Sequence, residues 1–122
     1  ANASLGLVRL RGQDCATHPS YQQIVIKLSQ EALAVAEAKG VKGLDFATFF
    51  TKTIPAARKT GGDHYPSMAQ DIMMTKKKTE IDFLNGAIAR MGKELGVPVP
   101  VNETITWLVK TIEDNYDKQY YA

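Results

Sequence analysis

An all-α domain is what this sequence predicts, and three observations carry the prediction. The long segments repeat their apolar residues at steps of three and four, the period that gathers them on one helix face. No segment alternates apolar and polar residues between turn signals, as a half-buried strand would. Glycine follows two of the periodic segments as a stop, at Gly40 and Gly96. With 122 residues, 44% of them apolar, the chain suits one compact domain, 1–122, with a real core.

The elements follow in order. The chain opens Ala1-Asn2-Ala3-Ser4, with no capping run ahead of Leu5, Leu7, Val8 and Leu10, so it reads as entering in mid-element, as a trimmed or proteolytic piece would. From Tyr21 to Lys39, the residues Val25, Leu28, Ala32, Val35 and Ala36 mark a helix that stops at Gly40. Leu44 to Arg58 carries Phe46, Phe49 and Phe50, and Pro55 kinks or ends it. Gly61-Gly62-Asp63 is a turn signal, and a short helix is expected from Ser67 to Thr75. The clearest helix comes next: Ile81, Leu84, Ile88, Met91 and Leu95 form one stripe, with Thr79 as N-cap and Asp82 completing a near capping box. Val97-Pro98-Val99-Pro100 is expected to be extended. Val101, Ile105, Leu108 and Ile112 mark the last helix, and a polar tail runs from Asn115.

Charge and motif content exclude several functions. Fifteen basic residues against thirteen acidic ones leave a net charge of +2, and the lysines are scattered apart from Lys76-Lys77-Lys78. That is a poor basis for a nucleic-acid partner. A single cysteine, Cys15, makes no internal disulfide, and the longest apolar runs fall far short of the ~20 residues a membrane helix needs. The expectation is a cytoplasmic chain without a membrane or nucleic-acid partner. No metal is expected, because His18 and His64 have no second ligand at metal spacing. The glycines form no G-x-G-x-x-G and no P-loop, and no serine sits in G-x-S-x-G. If a nucleotide is involved, another domain must hold most of it.

Three stretches remain as candidates. Pro66-Ser67-Met68 opens a helix, where unpaired backbone N–H groups and a hydroxyl suit a carboxylate or phosphate, although locally a plain serine cap is the weightier reading. Lys76-Lys77-Lys78 closes the same helix, and a solvated loop explains it without a ligand. Glu80 sits at the first turn of the strongest helix, free to point elsewhere if Asp82 caps the backbone. Met68, Met73 and Met74 read as core filler, and Trp107 as a packing anchor.

The stretch PSMAQDIMMTKKKTEIDFLNGAIARMGKELGVPVPVNETITWLVK adds a pattern to these pieces. Ser67-Met68, Gln70-Asp71, Thr79-Glu80-Ile81-Asp82, Asn85-Gly86, Gly96, Pro100 and Asn102 resemble, in order and spacing, the second half of the C-terminal domain of the ketopantoate reductase (2-dehydropantoate 2-reductase) family. The opening NASLGLVRLRG is more loosely similar to the segment after that family's active-site lysine. The resemblance implies a helical domain of the 6-phosphogluconate dehydrogenase C-terminal-like kind. It implies a parent enzyme that reduces a 2-keto acid, ketopantoate, in pantothenate biosynthesis. NADPH would be held by an N-terminal Rossmann domain absent from this chain. It further implies substrate contacts from Asn2, Ser67, Met68, Ala69 and Gln70, with Glu80 as a supporting acid that faces substrate and the cofactor's nicotinamide end. The proton-donating lysine would lie just before residue 1, so no complete catalytic set is expected here, and this chain alone is expected to be inactive and to bind NADPH weakly.

Two departures from the family pattern bear on substrate. The family's next asparagine falls at Gly6, and the following loop is shortened around Gly12 to Pro19. A related 2-keto acid is therefore an alternative substrate. A second class of function is a stand-alone helical module for interaction or dimerisation, and an upstream G-x-G-x-x-G unit would discriminate against it.

Overall fold

The computed structural model describes residues 2–43 and 65–120, without the side chain of Asn2. The helix expected over Leu44 to Arg58, the Gly61-Gly62-Asp63 turn and His64 lie outside the described residues.

Helices dominate what is described. α1 spans Asn2–Val8, a short α2 spans Gly12–Cys15, and α3 spans Pro19–Ala38. Pro19 occupies the first turn of α3, where its missing N–H costs nothing, and Gly40 follows at φ 91°. α4 spans Ser67–Gln70 and runs directly into a π-helical turn, Asp71–Thr75. Lys76 ends it in the left-handed region, φ 54°, a conformation that a lysine enters only when held there. A 3₁₀ turn, Ile81–Phe83, leads into α5, Asn85–Leu95, and α6 spans Pro100–Glu113.

The stripe read as one helix from Ile81 to Leu95 is therefore two elements. Leu84, at φ −113° and ψ −101°, breaks it. The break lets Ile81, 1% exposed, enter the core while α5 starts afresh at Asn85. Leu84 and Leu95 lie exposed, and Gly86 and Gly92 are the residues α5 buries. Thr79 does not cap α5, nor does Asp82. Thr79 Oγ1 accepts from the N–H of Ile81 at 3.2 Å, and the Asp82 carboxylate pairs with Lys110 at 3.0 Å.

α6 has also rotated relative to its predicted face. Asn102, Ile105, Thr106 and Val109 are buried, while Leu108 is exposed. Pro100, expected in an extended run, sits in the first turn of the helix. Trp107 is 61% exposed and lines a shallow hollow with Arg90, Lys93 and Pro98, so it is not the packing anchor expected of it. Among the methionines Met68 is core, but Met74 is exposed.

The core gathers Ala3, Leu28, Met68, Ile72, Ile81, Ile105 and Val109, one or two residues from each packed element. α5 and α6 pack on each other, α3 lies against both, and α1 lies against α4 and α6. A smaller cluster of Leu5, Cys15, Tyr21 and Val25 ties α1 to α2 and α3, where the hydroxyls of Ser4 and Tyr21 meet at 2.8 Å.

One polar knot organises the α3–α5–α6 junction. Glu31 accepts from the backbone N–H groups of Val101 and Asn102, both at 2.9 Å, and so caps α6 with a negative charge where the dipole favours one. Asn102 Nδ2 donates to Glu31 at 2.9 Å and to the carbonyl of Leu28 at 3.3 Å. Its Oδ1 accepts from Asn85 Nδ2 at 2.9 Å. A buried amide with all these partners satisfied fixes three helices at once.

Candidate functional site

Ser67 and Glu80 meet across one concavity of about 330 Å³. Met68, Asp71, Lys77, Lys78 and Leu84 complete its lining. The size suits a small organic acid rather than a whole dinucleotide.

Ser67 reaches the pocket because Pro66, at φ −61° and ψ 160°, turns an extended chain into α4 immediately before it. The serine is thus the first helical residue and does not act as the cap; that position belongs to Pro66. Its hydroxyl is exposed, and the first-turn N–H groups beside it have no carbonyl within the helix to bond. Met68 and Ala69, expected to contact substrate, are 2% and 0% exposed, with side chains turned into the core. What they offer the pocket side is backbone. Gln70 is directed away, donating to the carbonyl of Tyr65 at 2.7 Å. Asn2 lies in α1, which packs on α4, but its side chain is outside the described residues.

Gly6 has a reason to be glycine. A Cβ there would stand 2.9 Å from Ile72 Cδ1 and 3.1 Å from Ala69 Cα, so α1 approaches the backbone of α4 where no larger residue fits. The position at which the family pattern has an asparagine is closed in this chain by packing.

Glu80 opens the 3₁₀ turn rather than a helix, at φ −87° and ψ 21°. Its side chain is exposed to the pocket while its backbone is tied down on both sides. The carbonyl accepts from Phe83 N–H at 2.9 Å, and the N–H of Ile81 donates to Thr79 Oγ1.

Lys77 and Lys78, read from sequence as a solvated loop, line the same pocket as Ser67 and Glu80. Lys77 lies 3.6 Å from Asp71, and Lys78 lies 2.6 Å from Asp114. The Lys78 hydrogen bond holds the Asp114 carboxyl below its ordinary range and raises the lysine's own pKa. Two cations and two carboxylates thus line the pocket, a mixture that favours an anion carrying further hydrogen-bonding groups over a bare cation. Sequence reasoning missed the lysines' position because it depends on the π-turn. The signal present was their adjacency to Thr79-Glu80.

Among the described residues, no cluster of His, Cys, Asp or Glu is arranged to hold a metal ion, and no helix is long and apolar enough to cross a membrane.

The comparisons with known proteins agree on one family. The model for the C-terminal domain of ketopantoate reductase (PanE/ApbA) matches residues 1–113. The 2-dehydropantoate 2-reductase of Lactococcus lactis is 36% identical over 99 residues, covering 80% of this chain and 31% of that protein. The chain spans less than two fifths of the length of the curated relatives it matches, 19% to 39%. A PanE/ApbA family ketopantoate reductase from Ralstonia eutropha superposes with a TM-score of 0.82 at 34% identity, over 95% of this chain and 38% of that one. D-mandelate dehydrogenase, solved with NADH and anilino(oxo)acetate, superposes with a TM-score of 0.86 at 29% identity, over 97% of this chain and 64% of that one.

Proposed function

This chain belongs to the ketopantoate reductase family, whose C-terminal domain it matches, and from that premise we propose that it forms the keto-acid wall of an NADPH-dependent 2-dehydropantoate 2-reductase. The observation that carries the reading is the shared pocket of Ser67 and Glu80, thirteen positions apart in sequence and on separate elements.

The substrate's carboxylate lies against the start of α4. There the Ser67 hydroxyl and first-turn N–H groups donate to it, fixing which face of the neighbouring carbonyl is presented. Glu80 faces that carbonyl from the other side of the pocket. Lys77 and Lys78 hold the local potential positive enough to admit a monoanion despite Glu80 and Asp71. The pocket's size and the exposure of Glu80 fit a nicotinamide ring as the second occupant, with the rest of the dinucleotide held by a Rossmann domain of the parent chain. When bound, the nicotinamide supplies hydride to the keto carbon. The proton for the resulting alkoxide comes, by the family resemblance, from a lysine four residues ahead of Asn2. Glu80 orients the reacting groups as the supporting acid. The setting is cytoplasmic biosynthesis.

A related 2-keto acid is the second reading, and Gly6 favours it. The missing asparagine removes one polar group from the α1 side, and the D-mandelate dehydrogenase that superposes well was solved with NADH and an oxo acid. The test is an assay of the full-length parent against a panel of 2-keto acids with NADPH and with NADH. Ketopantoate with NADPH is expected to give the highest kcat/KM. A preference for an aromatic oxo acid with NADH would move the assignment to the second reading, and no turnover on any of them would end both.

A further inference from the structure

The loop that presents Lys77, Lys78 and Glu80 to the pocket is strapped to the end of α6, and the strap centres on one carboxylate. Glu113, half-buried at the last position of α6, accepts from Thr79 N–H at 2.7 Å and from the Thr79 hydroxyl with the same oxygen, Oε1. The Thr79 hydroxyl, having donated its proton to Glu113, accepts in turn from Ile81 N–H at 3.2 Å. The residues on both sides of Glu80 are therefore fixed by a single chain of hydrogen bonds that starts at Glu113. Tyr116 adds to it by donating from its hydroxyl to the carbonyl of Lys77 at 2.8 Å.

We infer that Glu113 is a positioning residue for the keto-acid pocket, setting the backbone of Glu80 through Thr79. Glu80 sits on a 3₁₀ turn of three residues, Ile81–Phe83, which has little rigidity of its own. A carboxylate on so short a turn holds its aim only if the backbone carrying it is anchored from outside. Ile81 supplies an apolar anchor on one side, and Glu113 supplies a charged, hydrogen-bonded one on the other. Glu113 lines no part of the pocket, so it acts at one remove. The inference rests on the reading of Glu80 as a pocket residue.

The experiment uses the full-length parent, with ketopantoate and NADPH in steady-state kinetics and a thermal midpoint for every variant. Glu113→Ala is expected to lower kcat about tenfold or more, with the KM for NADPH unchanged. Glu113→Gln keeps an acceptor oxygen in place and is expected to recover most of the loss. The deciding measurement is a cycle with Glu80→Gln: if Glu113 acts through Glu80, adding Glu113→Ala to Glu80→Gln costs less than about twofold more. Losses that multiply in full would show that Glu113 merely supports the fold and would overturn the inference, as would wild-type kcat in Glu113→Ala. Should Glu113→Ala fail to fold, Thr79→Val decides: a several-fold loss alone and none on top of Glu80→Gln is expected, and equal losses in both backgrounds overturn it. A silent Glu80→Gln fails the reading of the site itself and takes the inference with it. A silent Glu113→Ala beside a damaging Glu80→Gln fails the inference alone.

Discussion

Asn85 and Asn102, seventeen residues apart, meet side chain to side chain at 2.9 Å, and that contact joins the start of α5 to the buried first turn of α6. Both belong to the pattern by which the sequence resembles its family, and neither lines the pocket. Their place in the pattern is explained by the knot they make with Glu31 and Leu28. Removing the amide in Asn102→Ala orphans a buried carboxylate partner and a carbonyl together. The expected cost is about 2–3 kcal/mol, read as a drop in chemical-denaturation midpoint with unchanged slope.

Gly92 is the tightest contact in the α5–α6 hairpin. A Cβ would stand 2.7 Å from Val99 Cγ2 and 2.8 Å from the carbonyl of Val97. Gly92→Ala is expected to destabilise by about 1–3 kcal/mol despite alanine's better helix propensity. Thermal melts of the two proteins would decide it, and a rise in midpoint would show that the hairpin yields easily.

Glu80→Gln in the full-length parent is expected to lower turnover by about tenfold or more, because the carboxylate becomes neutral at constant shape. Pre-steady-state and steady-state rates with ketopantoate would measure it. Wild-type turnover removes Glu80 from the site.

Ser67→Ala deletes one donor at the start of α4. Keto-acid KM is expected to rise roughly fivefold to tenfold, with little change for the cofactor, the size expected of one hydrogen bond to a charged group. Equal changes in both constants count against the carboxylate role.

Lys78 and Asp114 make a pair whose pH dependence has a defined sign. The lysine's hydrogen bond lowers Asp114 from its ordinary 3.8, so the carboxylate's contribution is present above that value and lost as pH falls through the lower folded one. The same bond raises Lys78 above 10.5, so the lysine's contribution is present below 10.5 and lost as pH rises through the higher folded value. Both groups are fully exposed, and the effect is small and salt-sensitive. The midpoint difference between wild type and Asp114→Asn is expected to be positive near neutrality. It should vanish at about pH 2 and shrink in about 1 M salt.

The helical class, α3 and its stop at Gly40, and the helical span from Ser67 to Thr75 were all legible, because period and punctuation are local properties. The break at Leu84 was not. Ile81 fits the stripe of α5 in number, but its burial depends on α1, α4 and α6, which no local period encodes. Trp107 misled for the opposite reason: large aromatic residues are usually buried, yet the turn of α6 is set by Asn102 and the Glu31 cap, which leave position 107 outside. Ser67 and Glu80 were legible only through the family pattern. The strap from Glu113 is a contact across 34 positions and had no signature at all.

The π-turn at Asp71–Thr75 has a consequence for how this site can change over generations. Such a turn holds one residue more than an α-helix needs over the same rise. A single-codon deletion there would restore ordinary winding and swing everything after it by about 100° around the axis. Lys77, Lys78 and Glu80 would then leave the side on which Ser67 stands. Insertions and deletions in these five positions should therefore be far rarer among functional descendants than substitutions at the same places.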